Sequence, residues 1–65
     1  MNRKEISFEY DPDVDAAYLT LMKATIAETE EVCPGIVVDF DDSKQIVGIE
    51  ILRITKRFKP LMRVK

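Results

Sequence analysis

The sequence of 65 residues contains no histidine, no tryptophan, one cysteine and two glycines. Without an imidazole there is no His general base, no Ser-His-Asp or Cys-His nucleophile and no His metal ligand. Lone Cys33 has no intrachain disulfide partner and cannot assemble a thiolate zinc site. Its neighbours Glu30, Glu31 and Val32 offer none of the positive charge that activates a thiol, so it reads as an ordinary turn residue. The low cysteine content fits a reducing compartment. Five aromatic side chains are poor material for stacking nucleic-acid bases. No apolar run approaches the roughly 18 residues of a membrane helix. Met-Asn-Arg-Lys-Glu leads directly into an alternating segment and not into the apolar stretch of a signal peptide. These absences predict a cytoplasmic, non-enzymatic protein with no cofactor and no membrane association.

What is present is 46% hydrophobic and 34% charged, enough for one domain over residues 1–65. A chain this short buries only about 60% of the surface it exposes when unfolded, so its core is marginal unless a partner chain adds to it. That deficit predicts a homo-oligomer. The formal net charge of −2 hides a strong segregation. Residues 5–50 hold all twelve acids and two bases, Lys23 and Lys44. Residues 51–65 hold six bases and no acid. A basic end that also carries Leu52, Ile54, Phe58, Leu61 and Met62 is expected to fold back on an acidic body, its own or a neighbour's.

The hydrophobic pattern is mostly of period two. Residues 5–10 alternate with Ile6, Phe8 and Tyr10 on one face, which predicts a strand. Asp11-Pro12-Asp13 suits a turn, since Asp accepts backbone hydrogen bonds and Pro presets the next φ. Residues 16–21 predict a second strand, forming a hairpin with the first. Residues 25–32 lack an apolar stripe at helical spacing and predict a polar edge strand, whose glutamates discourage pairing with other copies. Cys33-Pro34-Gly35 has Pro and Gly in order for a type II turn. Residues 36–40 predict a central strand and 46–51 the next one, with Gly48 on the face opposite Val47, Ile49 and Ile51, where a side chain or a backbone can approach closely. From Ile51 the period changes to that of an amphipathic helix, expected over 52–59 and ended by Pro60. The expected fold class is therefore α+β. It comprises an antiparallel β-meander of four to five strands over 5–51, a short C-terminal helix and a basic tail over 60–65. Ile6, Phe8, Leu19, Leu21, Val38, Phe40, Ile49 and Ile51 form the predicted core.

Three blocks in order carry a family likeness: Tyr10-Asp11-Pro12-Asp13-Val14-Asp15-Ala16-Ala17-Tyr18-Leu19, Val32-Cys33-Pro34-Gly35-Ile36-Val37-Val38-Asp39-Phe40-Asp41 and Val47-Gly48-Ile49-Glu50-Ile51-Leu52. Together they resemble the small prokaryotic domain-of-unknown-function family catalogued as 2283, over roughly residues 5–57. The resemblance implies a mostly β domain with a short helix and supplies no catalytic residue. Some members sit beside small toxin-like proteins, which implies an antitoxin-like role for the family.

Two sets of residues are weak site candidates. Asp11, Asp13 and Asp15 alternate like the opening of a calcium loop, and Asp39 and Asp41, with Asp42 and Glu50, supply hard oxygen ligands around the second hairpin. Ala16 stands where an EF-hand needs Gly, and Met22 where it needs a bidentate Glu, so turn closure is the better reading of the first set. Arg53, Lys56, Arg57, Lys59 and Arg63 form a basic track that could follow phosphates. The acidic body and the sequence pI near 5.0 argue against nucleic acid. The leading expectation is a protein-binding or self-associating module with a small protein as its partner. A carboxylate-based divalent-metal site and nucleic-acid binding through the basic C-terminal tail are the alternatives.

Overall fold

Alternating strand formers produce five strands in the computed structural model, which describes residues 6–57. These are β1 (Ser7–Asp11), β2 (Ala16–Thr20), β3 (Glu28–Cys33), β4 (Ile36–Phe40) and β5 (Ile46–Leu52), followed by a single helical turn, α1 (Ile54–Arg57). They form one antiparallel sheet in the order β1-β2-β5-β4-β3. The fold is thus a small antiparallel sheet with one short C-terminal helix, and its helical share is smaller than the label α+β suggests.

A simple meander would place β3 beside β2, and here the expectation is corrected. β5 takes that place, and β3 lies at the far edge. The reason is polarity. β3 carries Glu28, Thr29, Glu30 and Glu31, and a position between two strands would take these carboxylates away from water. β5, with Ile46, Val47, Ile49 and Ile51, suits the centre. Strands β3, β4 and β5 are joined by hairpins, while the connection from β2 crosses the ends of β5 and β4 in the manner of a Greek key. Backbone bonds hold that crossover at both ends. The Leu21 and Met22 amides donate to Val47 O at 2.8 and 3.3 Å, and the Ala27 amide donates to Phe40 O at 2.7 Å.

Register sorts the side chains into two faces. Phe8, Leu19, Ile49, Val38 and Glu30 form one row across all five strands. With the residues two positions away, such as Tyr10, Ala17, Ile36 and Ile51, they define an apolar face that turns acidic only at β3. Ser7, Glu9, Tyr18, Gly48, Glu50, Asp39 and Thr29 belong to the polar face.

The core is thinner than expected. Among the described residues the buried hydrophobics are Ala17, Met22, Val38 and Val47. Of the eight predicted core residues, only Val38 is buried. Leu19, Leu21, Phe40, Ile49 and Ile51 are half-buried, whereas Ile6 and Phe8 remain 72% and 56% exposed. Met22 escaped the period-two pattern because it lies in the crossover, where its amide bond to Val47 draws the chain against the sheet.

The helix begins later than periodicity suggests. Leu52 still belongs to β5, opposite Ala16, and Arg53 reverses the chain at φ 51°. Helical hydrogen bonds then run from the Lys56 and Arg57 amides to Arg53 O. The rest of the expected helix and the tail at 60–65 lie outside the described residues, as does residue 5 at the start of the first expected strand.

Candidate functional site

On the polar face, Gly48 creates room that Tyr18 fills. A Cβ at Gly48 would stand 2.2 Å from the Tyr18 hydroxyl oxygen and 2.5 Å from Cζ, so the phenol ring lies directly over the glycine backbone. From there it crosses β5 and donates to Asp39 Oδ2 on β4 at 2.6 Å. Thr29 Oγ1 on β3 donates to Asp39 Oδ1 at 2.7 Å. One carboxylate thereby links β2, β4 and β3 across the strand between them. Partial burial, then the Asp39 bond and the charges of Asp39 and Glu50, push the Tyr18 phenol up to about 12. The sequence marks Gly48 as a place of close approach, and Tyr18 is the group that approaches.

A second cluster closes one end of the sheet. Asp11 Oδ1 accepts the Asp13 amide at 3.0 Å, the local bond expected of this turn. Asp15, at φ 55°, accepts from the Tyr10 hydroxyl at 2.9 Å and from Thr55 Oγ1 at 2.7 Å. Its carbonyl accepts the Ile54 amide at 3.0 Å, so the β1–β2 turn is fastened to α1. The Thr55 hydroxyl is the main reason the Asp15 carboxyl is held below its ordinary value; partial desolvation opposes it, and Tyr10, the Thr55 amide and the Lys56 charge assist. The bond to Asp15 raises the Tyr10 phenol. At the same end the Arg57 guanidinium lies over the Cys33-Pro34-Gly35-Ile36 turn and donates to Pro34 O. Gly35 has φ 87°, as the third residue of a type II turn requires.

The proposed metal ligands do not come together. Asp11 and Asp15 are engaged as described, and Asp39 belongs to the tyrosine cluster. Asp41 lies beyond the end of β4 and not on a shared strand face with Asp39; its Oδ1 accepts the Ser43 and Gln45 amides at 2.8 and 2.9 Å. Glu50 lies opposite Val37, two residues along from the Gly48–Asp39 pair. Among the described residues no three Asp, Glu or Cys side chains are grouped so as to hold a metal ion. Of the nucleic-acid candidates, Arg53, Lys56 and Arg57 line an open groove beside Glu31, Val14 and Leu52. Lys59 and Arg63 lie outside the described residues.

The remaining feature is apolar. Ile6, just before β1, and Phe8 and Tyr10 on the apolar side of β1 are 72%, 56% and 45% exposed, whereas Leu19 and Ala17, beside the latter two on β2, are half-buried and buried. The sequence pattern places Ile6 and Phe8 in the core and Tyr10 on the same face, because alternation reports which face a side chain joins and not whether anything covers it.

The family described as "Protein of unknown function (DUF2283)" matches residues 7–54. Neither the curated proteins nor the solved structures contain a match. Among the described residues no helix is long and apolar enough to cross a membrane.

Proposed function

The chain belongs to the DUF2283 family, whose description names no activity, and from that premise we propose that it is a non-enzymatic cytoplasmic module that works by association through the apolar margin of its sheet. The exposure of Ile6, Phe8 and Tyr10 carries this reading. At about 200 Å² of surface per large side chain, these fractions leave on the order of 350 Å² of the three residues in water, the Tyr10 hydroxyl and backbone included. That already matches the largest patch of a typical monomer, roughly 300–600 Å². It is also nearly half of the roughly 800 Å² that one partner contributes to a standard interface. A core in which no described large side chain is fully buried gains directly from covering it.

A foreign partner is the second reading. It is favoured by the exposed row Glu28, Glu30 and Glu31, whose chemistry suits a basic protein, as an antitoxin-like role would require. Light scattering on a sizing column tests the first reading, with the chain between about 10 and 200 µM to bracket a micromolar dissociation constant. The wild type is expected to form a defined oligomer, and Phe8→Lys a folded monomer. A wild type that stays monomeric and captures no co-expressed neighbouring gene product overturns the reading.

A further inference from the structure

We infer that the occupant of this margin is a second copy of the chain, joined edge to edge through β1 in the antiparallel register that sets Phe8 against Phe8. The inference rests on the association reading above and specifies its partner and geometry. The sheet has two edges, β1 and β3. β3 is guarded: carboxylates occupy three of its six positions, and its register shifts between Glu31 and Cys33. Charge and irregularity are the devices that keep edges from pairing. β1 carries carboxylates too, Glu9 and Asp11, but both lie on its polar face; it has neither a bulge nor an internal proline, all five of its residues are exposed, and it pairs with β2 without a shift. Its outer amides and carbonyls form a regular template.

The side chains choose the register. In a two-fold antiparallel pair, facing residues share a face of the sheet, so the axis passes through a residue pair. Centring on Phe8 places Phe8 against Phe8 and Ile6 against Tyr10 twice, which gives each of the three exposed apolar side chains an apolar cross-strand partner. On the polar face it sets Ser7 against Glu9. Centring on Glu9 would instead leave Ile6, and centring on Ser7 would leave Tyr10, without an apolar cross-strand partner on the strand. Asp11, beyond the apolar pairs, holds the Asp13 amide. The outcome is a continuous ten-stranded sheet whose weakest edge has become its centre.

Cysteine cross-linking in a Cys33→Ser background tests the register. Facing residues have Cα atoms about 4.5–5.5 Å apart, within the disulfide range of about 4.4–6.8 Å. Oxidised Phe8→Cys is therefore expected to run mostly as a covalent dimer. The two copies of residue 9 are offset by two residues along the strands, which places them about 8 Å apart, and Glu9→Cys is expected to remain unlinked. An equimolar mixture of Ser7→Cys and Glu9→Cys chains, which retains Phe8, is expected to cross-link between the two species. If light scattering shows a dimer but neither Phe8→Cys nor the mixture cross-links, the edge register is overturned while association stands. A monomeric wild type overturns the edge register and the second copy as occupant, while capture of a foreign partner would leave association itself standing.

Discussion

Replacing Gly48 with alanine tests the tyrosine bridge. The added Cβ would meet the Tyr18 hydroxyl oxygen, Cζ and Cε2 at 2.2, 2.5 and 2.8 Å, so the ring must leave its place. The backbone at Gly48 is paired to Thr20 on one side and Asp39 on the other and has little freedom to yield. Displacing the ring breaks its bond to Asp39. A hydrogen bond to a charged group is worth about 1.5–3 kcal/mol, and partial exposure puts this one at the low end. Alanine returns about 0.5–1 kcal/mol, because glycine is a poor strand residue. The net loss is then about 1 kcal/mol. With a urea m-value of about 1 kcal/mol/M for a chain this small, the midpoint falls by about 1 M. The same substitution in a Tyr18→Ala background meets no ring and should stabilise by about 0.5 kcal/mol. An equal loss in both backgrounds would refute the reasoning. Ultraviolet titration supplies an independent readout. Tyr18 should ionise near 12 in the wild type and closer to its ordinary value of 10.0 in Gly48→Ala. Because the folded-state value is raised, the stability linked to Tyr18 is fully present below pH 10 and is lost as the pH rises toward 12.

Gly35→Ala should cost about 1–2 kcal/mol from its left-handed φ alone, and the cost should persist in an Arg57→Ala background, since the flexible guanidinium can move aside; urea melts of the two pairs decide. Asp15 is lowered in the folded state, so its linked stability is present above its unfolded value and is lost as the pH falls through the lower folded one. Thr55→Val removes the principal cause, and NMR titration should show the Asp15 carboxyl moving back up toward 3.8. Calcium, magnesium and manganese at millimolar concentration should leave the thermal midpoint unchanged, because the aspartates are engaged separately; a clear upward shift would revive the metal reading.

Much of the fold is legible in the chain because strand signals are local. Alternation around Ile6 and Leu19, the Pro34-Gly35 pair and the acidic composition of β3 each act within a few residues. They suffice for five strands, their turns and the polar edge. Strand order is not local. That β5 separates β2 from β3 follows from competition among all five strands for the dry centre of the sheet, which no short window contains. The site divides in the same way. Asp11 closing its own turn is readable from Asp11-Pro12-Asp13, since both partners are neighbours. Tyr18 reaching Asp39, and Asp15 reaching Thr55, join residues 21 and 40 positions apart and exist only once the sheet has formed. The same holds for burial. Sequence by itself determined which side chains share a face, because the pleat has a fixed period of two. Only the tertiary structure decided which of them are covered: Val38, with strands on both sides, is buried, while Phe8 on the outermost strand still faces water.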